Sequence, residues 1–97
     1  GPAKTFFSPG FFDVRHSTGF YSVTTPLEDS NIFYVLVTEK PSGAYALFET
    51  SGQEPKRMTD LRTGKEVPFE MWHGVILKDY DWSDVEERGV TVLKFEF

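Results

Sequence analysis

The densest run of chemically capable side chains is Lys78-Asp79-Tyr80-Asp81-Trp82-Ser83-Asp84, which holds three carboxylates, a phenol and an indole within seven residues. Carboxylates so close together suggest acid–base work or a cation site. A glycosidase needs two carboxyl groups about 5–10 Å apart across a sugar cleft, and no pattern in the chain indicates such a cleft. An EF-hand needs a glycine at its sharp bend and a bidentate glutamate at its twelfth position; counted from Asp79, those places hold Asp84 and Val90. A looser calcium site of oxygen ligands is the lesser reading against a solvated loop, and no cofactor is expected.

The aromatic residues suggest a different chemistry. Sugar rings present flat C–H faces, and Trp or Tyr rings beside carboxylates offer stacking platforms with hydrogen-bond acceptors next to them. Trp72, Tyr80, Asp81, Trp82 and Asp84 form the candidate ligand-binding set. The competing reading makes Trp72 and Trp82 plugs for the open ends of a β-sandwich, their indole N–H groups bonded to loop carbonyls. Plugging is preferred on the usual high burial of tryptophan. If one ring faces solvent, Trp82 is the one expected.

Other constellations are weak. His16 and His73 have no histidine partner at ligand spacing, and His73 before Gly74 reads as a turn residue. Asp13, His16 and Ser17 spell a triad, but triads are made by geometry and seldom by sequence neighbours. Ser42-Gly43 lacks the helix start that would bind a phosphate. The chain has no cysteine, which removes disulfides, thiolate metal sites and a cysteine nucleophile. The expectation is a non-enzymatic domain.

These residues must be placed by strands. Turn residues recur throughout, at Pro9-Gly10, Ser17-Thr18-Gly19, Glu28–Asn31, Pro41-Ser42-Gly43, Ser51-Gly52, Thr63-Gly64 and Gly89, with β-branched and aromatic runs between them. That density of turns predicts an all-β domain. Asn31–Glu39 is the strongest strand; apolar residues on both of its faces place it centrally or against a neighbouring domain. A hairpin is expected from it through Lys40-Pro41-Ser42-Gly43 into Ala44–Thr50. Phe11–Arg15 and Gly19–Thr25 form an earlier pair. Lys56–Asp60 and Lys65–Met71 flank a Leu61-Arg62-Thr63-Gly64 turn, His73-Gly74 leads into Val75–Lys78, and Val90–Phe97 is the last strand. Trp82–Arg88 is the best helical segment, with Ser83 as its cap. Seven or eight short antiparallel strands give a β-sandwich, immunoglobulin-like by preference and a small barrel second.

Size and charge narrow the class. Ninety-seven residues make one domain, able to bury about 65% of the surface that its unfolded chain exposes. Residues 1–3 (Gly-Pro-Ala) read as a scar of tag removal, and residues 4–97 as the single domain. No apolar run approaches the roughly 20 residues of a membrane span. A net charge of −5 without a basic stripe argues against nucleic acid as a partner. The compartment is left open, with a secreted or cell-surface setting preferred.

From Tyr45 onward, the order ALFETSG, MTDLRTGKEVPFE, GVILKDYD and GVTVLKFEF resembles the terminal β-sandwich domains that follow the catalytic barrels of glycoside hydrolases. The likeness covers the second half of the chain; the Asp81–Gly89 insertion and the Phe-rich start depart from it. It implies a non-catalytic accessory module that braces a carbohydrate-active enzyme or binds polysaccharide weakly, and it carries over no catalytic residue. The alternative is an immunoglobulin-like protein-interaction module. On a strand, adjacent phenylalanines point to opposite faces, so Phe6, Phe7, Phe11 and Phe12 are its candidate interface to a neighbouring domain of the parent protein.

Overall fold

The computed structural model describes residues 20–24, 31–41, 43 and 45–97. In chain order these hold β1 (Tyr21–Thr24), β2 (Ile32–Val37), β3 (Ala46–Phe48), β4 (Arg57–Asp60), β5 (Glu70–Met71), β6 (Val75–Leu77), the short helix α1 (Ser83–Arg88) and β7 (Thr91–Glu96). The strands form two antiparallel sheets, β1-β2-β7-β4 and β3-β6-β5, packed over one apolar core as the expected all-β sandwich. The strand expected at Phe11–Arg15 and the interface candidates Phe6, Phe7, Phe11 and Phe12 lie outside the described residues.

Strand alternation sets what faces inward. β2 and β7 pair over six residues, from Ile32 opposite Glu96 to Val37 opposite Thr91. Phe33, Val35 and Val37 of β2 and Thr91, Leu93 and Phe95 of β7 are buried. The other face of β2 carries Ile32, Tyr34 and Leu36, which are only partly buried. β6 is central in the smaller sheet and buried on both faces. Such continuous burial suits an unbroken Val-Ile-Leu run better than an alternating one.

Three local expectations need correction. The Pro41-Gly43 turn does not close a hairpin: β2 already has β1 and β7 on its two edges, so β3 crosses to the other sheet and pairs with β6. Lys65–Met71 is not one strand. Glu66 bridges Thr59 in the larger sheet, and Glu70–Met71 pair with β6 in the smaller one. Pro68 lies in the crossing, where its missing N–H removes nothing from either ladder. Finally, Ser83 does not cap α1; the Asp81 carboxylate accepts the Ser83 N–H at 3.0 Å, and Gly89 ends the helix in the left-handed conformation with φ 84°.

The strand order is also informative. In an immunoglobulin constant-type domain the sheets are ABED and CFG, or 1-2-5-4 and 3-6-7 by number. The described strands give 1-2-7-4 and 3-6-5, with the fifth and seventh exchanged. The six-residue β7 can satisfy two neighbours along its length, whereas the two-residue β5 cannot.

Candidate functional site

The β4 turn builds one side of the site. Asp60 ends β4 and its Oδ1 accepts the N–H groups of Arg62 at 2.9 Å and Thr63 at 3.3 Å. Backbone bonds from Gly64 N to Asp60 O at 2.8 Å and from Asp60 N to Lys65 O at 2.9 Å close the turn. Gly64 takes φ 74°, the positive value expected of glycine there. The sequence therefore folds locally as an Asp-led turn.

The other side comes from the segment after β6. Tyr80 donates its O–H to Asp60 Oδ2 at 2.5 Å, tying that segment to the β4 turn. Trp82 stands edge-on to Tyr80, with ring centroids 4.6 Å apart, and both pack against the core. On α1, Asp84 is paired with the Arg62 guanidinium and with Arg88 one turn on, the latter at 3.8 Å. A phenol, a turn and a helix are thus held by two aspartates.

Between these walls lies an open groove of roughly 370 Å³, at the small end of the range for ligand sites. Val67, Phe69, Ile76 and Tyr80 give it an apolar lining, and Glu66, Glu70, Asp79, Asp81, Lys65 and Lys78 bring charge to it. Lys78 pairs with Glu70 at 3.2 Å.

Of the candidate set, Tyr80 and Asp81 line the groove, while Trp82 supports Tyr80 from outside the lining. Asp84 is committed to two arginines. Trp72 stands apart, on the β5–β6 turn with its ring edge-on to His73 at 4.7 Å. The exposed indole is Trp72, at 55%, and not Trp82. A three-residue turn has no core to offer its side chain, whereas Trp82 meets the core at the start of a helix. His73 is the turn residue expected of it, with φ 61°.

Residues that the sequence did not single out include Asp60, Glu66 and Phe69. For Asp60 a signal was available, since Asp opening a Leu-Arg-Thr-Gly stretch marks an Asx turn. Phe69 offered none, because its position depends on the chain crossing between sheets.

The electrostatics are structural in character. Burial, then the hydrogen bond to Asp60, raises the Tyr80 phenol to about 12, with a Thr91 hydroxyl bond opposing. The hydrogen bond from Ser83 N–H lowers the Asp81 carboxyl, and the bond and charge of Asp84 raise the Arg62 guanidinium. The folded protein holds the Tyr80 proton more tightly than the unfolded chain, whose phenol titrates near ~10. Its stabilising contribution is complete below about pH 10 and is lost as pH rises through about 12. Absorbance titration should therefore show a late tyrosinate component that Tyr80→Phe removes; an unchanged titration in that variant would refute the assignment.

Asp60→Ala should cost about 2–3 kcal/mol, because it leaves a phenol and two backbone donors without their acceptor. A urea midpoint within error of wild type would contradict this role. Both Asp60 oxygens are engaged by the fold.

Among the described residues, no group of three or more His, Asp or Glu is placed to hold a metal ion. Asp79, Asp81 and Asp84 do not converge, since Asp81 turns to Ser83 and Asp84 to the arginines. Nor is any described helix long and apolar enough to cross a membrane. No protein-family model, curated protein or solved structure matches the chain, and none of these comparisons links it to glycoside hydrolase accessory domains.

Proposed function

We propose that this domain is a non-catalytic accessory module of a larger, carbohydrate-active protein, and that it binds glycan weakly in the groove beside Tyr80. The observation that carries the reading is the groove itself. An aromatic and aliphatic lining from Phe69, Tyr80 and Ile76 lies beside carboxylates and ammonium groups, which suits a sugar's alternation of C–H faces and hydroxyls. A non-catalytic role is supported by Asp60 and Asp84, whose oxygens are already engaged by the fold.

Tryptophan fluorescence provides the test, because Trp82 touches Tyr80 and senses the groove wall. Titration with a panel of soluble polysaccharides should give a saturable change that survives Trp72→Phe and disappears in Trp82→Ala. Tyr80→Ala should weaken binding by about tenfold, or 1.4 kcal/mol. No change with any polysaccharide would remove the glycan reading.

A second reading, a protein-interaction or structural module, is favoured by a different surface. On the outer face of the larger sheet, Leu36 sits opposite Val92, and Ile32, Tyr34 and Leu36 form a partly buried apolar row. Such a face suits a neighbouring domain.

A further inference from the structure

Resting on the glycan reading, we infer that the groove selects a sugar chain bearing free amines, in preference to a neutral or an acidic one. The argument is a charge inventory of the lining. Five carboxylates line it (Asp60, Glu66, Glu70, Asp79 and Asp81) against two ammonium groups, Lys65 and Lys78.

Their partners sharpen the imbalance. Lys78 and Glu70 neutralise one another. Asp60 is consumed by two backbone donors and by the Tyr80 hydroxyl. Glu66, Asp79 and Asp81 remain, with Lys65 as the one uncommitted cation of the lining. Glu66 and Asp79 have no ion-pair partner among the described residues, and Asp81 accepts from a backbone N–H while keeping its charge. The hydrogen bond from Ser83 favours the ionised form of the Asp81 carboxyl.

Like-signed carboxylates beside an apolar wall attract a cation and repel uronates or sulfates. The wall distinguishes the occupant from a simple ion. Phe69 and Tyr80 line it partly exposed, and a pyranose ring supplies an apolar face to lie on them together with its amine. The groove therefore suits an amine-bearing sugar chain, for which a glucosamine oligomer is the probe.

Calorimetry on the 97-residue protein can compare four probes: a β-1,4-linked glucosamine tetramer, its N-acetylated form, a β-1,4-linked glucose tetramer and pentalysine. The glucosamine tetramer should bind about three- to tenfold more tightly than either neutral tetramer, a range set by the modest worth of exposed charge pairs. Asp79→Asn combined with Asp81→Asn should abolish that preference while leaving neutral binding in place. Asparagine keeps a side-chain oxygen that can accept the Ser83 N–H. Raising the salt from about 50 to about 500 mM should erase the same increment.

Equal affinity for the three tetramers would overturn the charge inference and leave the glycan reading intact. Binding of none of them would overturn both. Pentalysine binding as tightly as the glucosamine tetramer would overturn the sugar assignment in favour of a basic protein segment.

Discussion

Truncating Phe48 to alanine should lower the stability of the domain by about 3–5 kcal/mol. Phe48 is fully buried and lies on β3, in the smaller sheet. Its ring meets Phe95 of β7, in the opposite sheet, at 5.6 Å, together with Tyr21 at 5.0 Å and Phe20 at 5.4 Å. The backbone N–H of the next residue, Glu49, also reaches the Tyr21 hydroxyl across the two sheets at 3.3 Å. One side chain therefore joins three strands of the sandwich, and its loss leaves a cavity that no single neighbour can fill. A domain of this size has about 5–15 kcal/mol in all, so the variant should be marginal at 25 °C. Urea unfolding should show a large fall in midpoint with little change in slope. A loss below about 1 kcal/mol would mean that the two sheets do not depend on this contact.

Gly74→Ala should also destabilise the domain, for the opposite reason. Gly74 is buried beside β3, and a Cβ there would lie 2.5 Å from the Phe48 carbonyl oxygen, with Glu49 Cα and Leu47 Cδ1 each at 3.3 Å. The nearest atom is backbone, so no rotamer change relieves the overlap; β3 and β6 must move apart. Overpacking of this kind costs about 1–3 kcal/mol, and at 4–8 °C per kcal/mol the melting temperature should fall by roughly 5–20 °C. Gly64→Ala provides the contrast, because nothing lies within 4 Å of its Cβ and only its φ of 74° opposes the substitution. If the two variants melted together, close approach at Gly74 would not be the reason for its glycine.

These two sites show how far the residues alone carried. The β-sandwich was legible because alternation in Asn31–Glu39 and Val90–Phe97 dictates one buried face, and β2 and β7 follow it. The Leu61–Gly64 turn, the His73-Gly74 turn and the helical stretch before Gly89 were legible too, since each depends on a few neighbouring residues. The exchange of fifth and seventh strands was not, nor was the crossing from β2 to β3. Both follow from which strand edges are already occupied, a property of the assembled sheets.

The site divides along the same line. Lys78–Asp84 was recognisable from composition as a place where aromatic rings and carboxylates meet, and Tyr80 and Asp81 do line the groove. Composition could not reveal that Asp60, twenty residues earlier, takes the Tyr80 proton donor, or that Arg62 holds Asp84. Nor could it show that Trp82 leans on Tyr80 while Trp72 stands in solvent. By itself the sequence determined the strands, their inward faces and the turns, because those depend on side-chain period and local backbone preference. The tertiary structure alone decided which carboxylates are engaged by the fold and which line the groove without an ion-pair partner among the described residues, because that depends on groups brought together from distant parts of the chain.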